Sequence, residues 1–193
     1  MSVRKTLAVV LGSGLLLGAA HVSATPPTAS MLADTCAGCH GPDGSSVGPA
    51  IPSIAGMSAE YFKTTMAEYK TGERYSTIMT RIAKGYTDEE IALMADFFAG
   101  KDFVRFAQDV DATKVKAGEK LYGKSCEKCH EDNGASPGDD AGILAGQWLP
   151  YLNYTMADFT SDRRDMPKKM KKKVEKLSAD DIEALMHFFA SQQ

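Results

Sequence analysis

Apolar side chains recur at helical spacing in four separate stretches of the sequence. Residues 59–70 and 149–159 carry apolar positions three and four apart, and so do residues 88–99 and 179–191. The last two stretches each follow a hydroxyl side chain, which can cap a helix, and each opens with acidic residues that stabilise its positive end. No stretch alternates apolar and polar positions over a useful length, so we expect no sheet. The pattern predicts an all-α protein.

A further helix is predicted to end at Cys126, with Asp111 or Thr113 as its cap. Two polar loops, 41–53 and 131–142, are rich in Gly, Pro, Ser and Asp, which favour turns over helices. In each half of the chain the predicted order of elements is therefore helix, loop, helix, loop and closing helix.

The same residues recur in the two halves of the chain. The offset between equivalent positions is 90 up to residue 159 and 91 from residue 170, so one residue has been inserted between them. The repeated pairs are Ile54-Ala55-Gly56 with Leu144-Ala145-Gly146, Tyr61 with Tyr151, Met66 with Met156, Tyr69 with Phe159, Met79 with Met170, and Phe97-Phe98-Ala99 with Phe188-Phe189-Ala190. Duplication of one domain explains the repeat, and we expect domains at 25–108 and 109–193, joined by a linker near 101–112 whose phenylalanines pack against a domain.

The N-terminus has the composition of a secretory signal peptide. Arg4 and Lys5 precede an apolar run from Leu7 to Ala20, and Val22-Ser23-Ala24 has the form of a cleavage site. We expect residues 1–24 to be removed. A retained anchor is the alternative, but the run is shorter than the ~20 residues that a spanning helix needs. The signal predicts export to the periplasm of a Gram-negative bacterium.

Charge excludes one class of partner. Without the two bases of the signal, the chain has 20 basic and 25 acidic residues, a net charge of −5. This balance is not that of a nucleic-acid-binding protein. No later segment is apolar enough to span a bilayer, so we expect no stable membrane insertion.

Two copies of Cys-x-x-Cys-His use all four cysteines of the chain. They are Cys36 and Cys39 with His40, and Cys126 and Cys129 with His130. This motif is typical of covalent haem c attachment, in which two thiols add to the vinyl groups and the histidine ligates iron. A four-cysteine zinc site or two redox dithiols are the alternatives. Neither explains the adjacent histidines, so the sequence predicts two covalently bound haem c groups.

The helix order and the motif position resemble class I cytochrome c. In that family a small residue eight positions before the first cysteine lies against the closing helix, and an aromatic residue follows four positions later. Gly118 and Tyr122 match this pattern, whereas Thr28 and Leu32 in the first half do not. The resemblance implies the same fold in both halves, with a different helix crossing in the first.

The family also uses a proline carbonyl to orient the imidazole that ligates iron. Pro49 suits this role in the first half, whereas loop 131–142 offers only Pro137. In the second half we therefore expect no clear equivalent.

The second axial ligand must come from a small set of side chains. After the signal the chain has three histidines, and His187 alone is outside the motifs, where its repeat partner Asp96 indicates an exposed face. Two bis-histidine haems are impossible within the chain, so methionine must contribute. Met66 and Met156 lie mid-helix and suit core packing. Met79 and Met170 precede the closing helices, where class I cytochromes place this ligand, and Met166 competes with Met170.

Several longer strings resemble the cytochrome subunit of flavocytochrome c sulfide dehydrogenase. Cytochrome c4, another dihaem duplicate, shares the architecture and the Leu-Ala-Gly-Gln string. The strings are Cys36 to Gly41, Ser76 to Met79, Arg81 to Tyr86, Cys126 to His130, Ile143 to Trp148, Arg163-Arg164, Met166 to Met170 and Ser191 to Gln193.

The resemblance implies a partner. In that family a separate FAD-containing flavoprotein oxidises sulfide, and the cytochrome takes the electrons one at a time. This chain has no Gly-x-Gly-x-x-Gly motif, so it resembles the electron-accepting subunit, with no catalysis at its own haems, passing electrons to an external acceptor such as a soluble cytochrome. A free cytochrome c4-like carrier to a terminal oxidase is the alternative. A self-contained haem enzyme would need an open iron site.

Two surfaces are candidates for docking. Loop 41–53, with its small residues, is expected to face the flavoprotein. The lysine run 168–176 is either a solvated face or a patch that steers an acidic partner to the second haem.

Overall fold

A computed structural model describes residues 25–193, and the predicted signal peptide lies outside the described residues. Within them no strand forms, and the fold is helical. In chain order the helices are α1 (Ala29–Asp34), α2 (Ala37–His40), α3 (Ala59–Thr71), α4 (Met79–Ile82), α5 (Asp88–Ala99), α6 (Ala112–Ser125), α7 (Glu131–Gly134), α8 (Leu149–Thr160), α9 (Lys168–Val174) and α10 (Ala179–Ser191), with a 3₁₀ turn at Ala83–Gly85.

The closing helices α5 and α10 begin where their cap residues predicted. The hydroxyl groups of Thr87 and Ser178 accept hydrogen bonds from the N–H groups of Glu90 and Asp181. The carboxylates of Glu90 and Asp181 in turn accept hydrogen bonds from the N–H groups of Thr87 and Ser178. Of the two caps predicted for α6, Asp111 is the one used. The helical predictions for both halves are confirmed.

Each half encloses its own core. In the first half α1 and α3 pack on α5, around fully buried Met94 and Phe98. In the second half α6 and α8 pack on α10, around Tyr122, Phe188 and Phe189, whose rings stack or meet edge to face. The buried residues separate into two clusters, as expected for two tandem domains.

The two domains differ in how the first helix meets the closing helix. A Cβ atom on Gly118 of α6 would lie 2.2 Å from the carbonyl oxygen of Ala184 in α10, so only glycine permits this close crossing. In the first domain the equivalent residue, Thr28, is the cap of the six-residue helix α1 and lies outside it. The first helix of that domain is therefore too short to repeat the crossing.

The linker after α5 contacts both domains, and the predicted packing of its phenylalanines against a domain is confirmed for Phe106. The Ser45 hydroxyl accepts the N–H of Val104 (2.9 Å) in the first domain. The Phe106 ring stacks on Trp148 of the second domain, with centroids 6.0 Å apart. No helix within residues 25–193 is both long and apolar enough to cross a membrane.

Candidate haem sites

The first motif forms the short helix α2, which positions His40 in the interior. His40 is 8% exposed, and its Nδ1 lies 2.8 Å from the carbonyl oxygen of Pro52. A carbonyl accepts only, so Nδ1 carries the proton and Nε2 is left with a lone pair. Burial lowers the pKa of His40, because it disfavours the charged form. The histidine is thus held as the neutral tautomer that ligates a metal through Nε2.

The expectation that Pro49 orients this imidazole is wrong. Pro49 is exposed and lies in a tight turn, which is closed by a hydrogen bond from the Ile51 N–H to the Gly48 carbonyl. The turn carries the chain back inward, so that Pro52 presents its carbonyl to His40.

The second motif is held differently. His130 is half-buried, burial lowers its pKa, and no hydrogen bond to its ring is present among the described residues. Tyr122 instead fixes the backbone, since its hydroxyl donates to the His130 carbonyl (2.7 Å) and accepts the Asn133 N–H (2.8 Å). Pro137 is exposed and offers no equivalent of Pro52.

The four cysteine thiols are free, and the two motifs lie in separate domains. Cys36 and Cys126 are half-buried, and burial raises the pKa of both thiols. Cys39 and Cys129 are exposed. Within residues 25–193 no group of three or more His, Cys, Asp or Glu is placed to hold a metal ion. The four cysteines therefore do not form the zinc site considered above.

Of the four repeated methionines, Met66 is buried and Met79, Met156 and Met170 are half-buried. Met66 is 5% exposed inside the first core, and Met156 packs against the second, as predicted for residues that fill space. Met79 begins α4 and packs, like Cys36, against the first core, with its N–H donating to the Ser76 hydroxyl (3.0 Å). Met170 is half-buried in α9.

The expectation that His187 faces solvent is wrong. Its side chain is 13% exposed, and Nδ1 accepts the N–H of Asp111 at the start of α6 (3.1 Å). The histidine ties α10 to α6. Its repeat partner Asp96 is exposed, and the helix α1 of the first domain begins only at Ala29.

A cationic cluster of buried Arg74 and half-buried Arg164 lies where the domains meet. Arg74 is 6% exposed, donates to the hydroxyls of Thr65 (3.0 Å) and Tyr61 (3.3 Å), and forms a backbone bridge with its repeat equivalent Arg164. Burial acts to raise the pKa of Tyr61, but Arg74 and Arg164 lower it, and the net shift is downward. One carboxylate, of Glu68, lies 3.5 Å from Arg74.

The chemistry of this cluster is compatible with the group that the motifs imply. Haem carries two acidic propionate groups, and a buried guanidinium beside phenol hydroxyls complements them. Sequence reasoning assigned no site role to Arg74 or Arg164, although their separation of 90 residues is the offset of the repeat.

Loop 41–53, which is expected to face the flavoprotein, is partly covered by the second domain. Ser46 and Ser53 are buried, and the indole of Trp148 in the second domain donates to the Ser46 carbonyl (2.7 Å). The inner part of the loop is therefore occupied by the second domain. Pro42, Asp43, Val47, Pro49 and Ala50 of the loop are exposed.

Comparisons with known proteins agree with this organisation. Residues 28–100 match the Cytochrome c family model, and residues 113–189 match the model of cytochrome c oxidase, cbb3-type, subunit III. The chain is 51% identical over 83 residues to the cytochrome subunit of sulfide dehydrogenase from Chlorobaculum tepidum, which covers 42% of this chain and 74% of that protein.

A second relative covers nearly the whole chain. Cytochrome c4 from Azotobacter vinelandii is 31% identical over 206 residues, 95% of each protein. The crystal structure of reduced cytochrome c4 from Pseudomonas stutzeri superposes with a TM-score of 0.75 at 26% identity, covering 86% of this chain and 97% of that one. The chain therefore belongs to the dihaem cytochromes c, with two class I cytochrome c domains in tandem, and is an electron carrier related to the cytochrome subunit of sulfide dehydrogenase and to cytochrome c4.

Proposed function

We propose that this chain is the electron-accepting subunit of a complex with an FAD-containing flavoprotein that oxidises sulfide. The observation that carries the proposal is its similarity to the cytochrome subunit of sulfide dehydrogenase. The chain takes electrons from the flavin and passes them to an external acceptor. Two haems allow it to hold both electrons from one sulfide oxidation, since haem iron carries one electron at a time.

Each domain contributes one attachment site. Cys36 and Cys39 hold the first haem c, with His40 and Met79 as its axial ligands. Support comes from the neutral tautomer of His40 and from Met79, which packs against the same core as Cys36.

The second site is proposed by the same logic. Cys126 and Cys129 hold the second haem c, and His130 and Met170 are its axial ligands. Met170 is preferred to Met166 because it is the repeat equivalent of Met79.

The surfaces beside the two methionines suit different partners. Ile78 and Ile82 are 48% and 41% exposed, four residues apart on one helical face of the first domain. At the offset of 91, their equivalents are Lys169 and Lys173. An apolar surface favours a lasting interface, whereas a lysine surface favours a brief, steered encounter. We assign the first to the flavoprotein and the second to the outgoing acceptor.

The chain is proposed to act in the periplasm. Residues 1–24 direct export, and the mature protein consists of domains 25–108 and 109–193. The predicted signal peptide and the use of every cysteine in a haem motif support this location.

Rapid mixing tests the proposal. The purified flavoprotein of sulfide dehydrogenase and this chain should co-elute as a 1:1 complex on gel filtration. Sulfide alone should reduce the isolated chain slowly, whereas sulfide with the flavoprotein should reduce both haems rapidly. Equal rates with and without the flavoprotein, or no complex, would refute the partnership.

A free carrier similar to cytochrome c4 is the second candidate. The observation that favours it is the alignment with cytochrome c4 along nearly the whole chain. A chain that forms no flavoprotein complex but reduces a terminal oxidase directly would support this alternative.

A further inference from the structure

The segment that orients His40 is held from the other domain. The Pro52 carbonyl accepts the His40 Nδ1–H, and Ser53 follows directly in the chain. Ser53 is 3% exposed and uses both backbone groups in contacts with the second domain. The position of the Pro52 carbonyl therefore depends on what fixes Ser53.

Gln147 of the second domain clasps Ser53 on both sides of its backbone. The Ser53 N–H donates to Gln147 Oε1 (2.9 Å), and Gln147 Nε2 donates to the Ser53 carbonyl (2.8 Å). Nε2 also donates to the Ile143 carbonyl (3.3 Å) within its own domain. Gln147 is 1% exposed, so these bonds form away from water and their loss would leave buried groups unpaired.

A second contact supports the same loop. The Ser53 hydroxyl accepts the N–H of fully buried Ser46 (3.0 Å), and the Ser46 carbonyl accepts the Trp148 Nε1–H (2.7 Å). Gln147 and Trp148 are adjacent, so one short segment of the second domain forms hydrogen bonds to the first-domain loop at both Ser53 and Ser46.

The clasp exists on one side of the repeat only. The equivalent of Gln147 is Met57, which has no amide, and the equivalent of Ser53 is Ile143. His130 correspondingly has no hydrogen bond to its ring within residues 25–193. Only the first site has its histidine tied to the opposite domain.

We propose that Gln147 is a positioning residue for the first haem, by which the second domain lowers the reduction potential of the first. By clasping Ser53 it keeps the Pro52 carbonyl on the His40 Nδ1–H. A hydrogen bond at this nitrogen makes the imidazole a stronger donor, which stabilises ferric iron. The inference rests on the proposed role of His40 as iron ligand, and it does not depend on which protein supplies the electrons.

The test is a redox titration of the isolated holoprotein with chemical mediators, comparing wild type with Gln147→Met. Methionine has a similar volume and is the residue at the equivalent position of the first domain. At a fixed potential, the ferrous-to-ferric ratio of the first haem should rise roughly three- to tenfold, tenfold being about 59 mV for one electron. The second haem should not change. In the reduced protein, the His40 Nδ1 proton should exchange faster with deuterated water by NMR.

Gln108→Met is the matched control. Gln108 also makes three hydrogen bonds, to the Gln147 carbonyl (3.0 Å), the Ala190 carbonyl (3.1 Å) and the Leu149 N–H (2.7 Å), but none to the first-domain loop. It should leave both potentials unchanged. If Gln147→Met does not fold, Trp148→Phe removes the bond to Ser46 but keeps an aromatic ring against Phe106, and a smaller rise is expected.

Three results would overturn the inference. They are an unchanged or lowered potential of the first haem, an equal shift of both haems, and the same shift from Gln108→Met. The titration contains no flavoprotein. The proposed role of Gln147 can therefore be refuted while the proposed partnership stands, and the partnership can be refuted while the role of Gln147 stands.

Discussion

The two domains share a helical scaffold and a motif, yet they stabilise that motif by different means. In the first domain a side-chain hydrogen bond to Pro52 fixes His40, and the second domain holds that loop. In the second domain Tyr122 fixes the backbone around His130 and leaves its ring without a partner among the described residues. Duplication therefore preserved the motif while the surroundings of the two histidines diverged.

The largest effect is expected from Gly118→Ala, which tests whether the second domain needs its close helix crossing. A methyl group there would overlap the Ala184 carbonyl, and overpacking against backbone should destabilise the domain by about 3 kcal/mol or more. The measurement is thermal unfolding followed at the haem absorbance.

Gly123→Ala on the same helix is the control, since a Cβ there meets nothing within 4 Å. It should be neutral or stabilise by up to ~1 kcal/mol. A Gly118→Ala protein as stable as Gly123→Ala would show that the crossing of α6 and α10 has room for a methyl group.

The axial ligands give the next effect. The weak far-red absorbance of the oxidised protein, which marks iron–thioether bonding, should fall by about half in Met79→Leu and in Met170→Leu, because each removes one of two such bonds. Met66→Leu should leave it intact, since Met66 lies in the core. Loss of the band in Met166→Leu and its survival in Met170→Leu would contradict the assignment in the second domain.

The next prediction exchanges the apolar surface of Ile78 and Ile82 and the lysine surface of Lys169 and Lys173, which are proposed to face different partners. Lys169→Ile with Lys173→Ile should slow reduction of the external acceptor and flatten its dependence on salt, because steering charges are lost. Ile78→Lys with Ile82→Lys should weaken the flavoprotein complex and leave the acceptor rate unchanged. Stopped-flow rates at two ionic strengths and gel filtration measure these effects. If both double variants change the acceptor rate and the flavoprotein complex equally, the two surfaces have no separate roles.

The helix caps should give the smallest effect. Thr87→Ala and Ser178→Ala each remove a hydroxyl that accepts a helix N–H, which should cost about 1 kcal/mol in its own domain, measured by denaturant unfolding. A change several times larger in one domain would show that its cap also supports the haem loop.

The second cap should also respond to acid. Hydrogen bonds from Ser178 lower the pKa of Asp181, so its contribution is complete above the unfolded pKa of aspartate and is lost as the pH falls through the lower folded pKa. Measuring the unfolding of the second domain at pH 7 and pH 3 compares the protein with Asp181 ionised and the protein with Asp181 protonated. In Asp181→Asn that part of the pH dependence should disappear.

Local features could be predicted from the sequence, because they depend on neighbouring residues. The bounds of α5 and α10 follow from cap residues and apolar spacing, and the haem motifs are contiguous pentapeptides. The close approach of Gly118 to α10 is what the resemblance to class I cytochrome c implied.

Features that depend on the fold were missed or misjudged. The choice of Pro52 over Pro49 depends on the turn after Gly48, which the spacing of prolines does not reveal. Burial of His187 depends on the length of α6. The Gln147 clasp joins residues 94 positions apart and depends on how the domains pack, which no local pattern encodes.

The most direct test of the account is the order in which the two haems are reduced. The complex with flavoprotein is mixed with less than one equivalent of sulfide and frozen at successive times, and the ferric signals are followed by electron paramagnetic resonance after assignment with Met79→Leu and Met170→Leu. The account predicts that the signal of the first domain disappears first and that of the second follows. Reduction of the second domain first, or of both at a rate that does not depend on the flavoprotein, would contradict it.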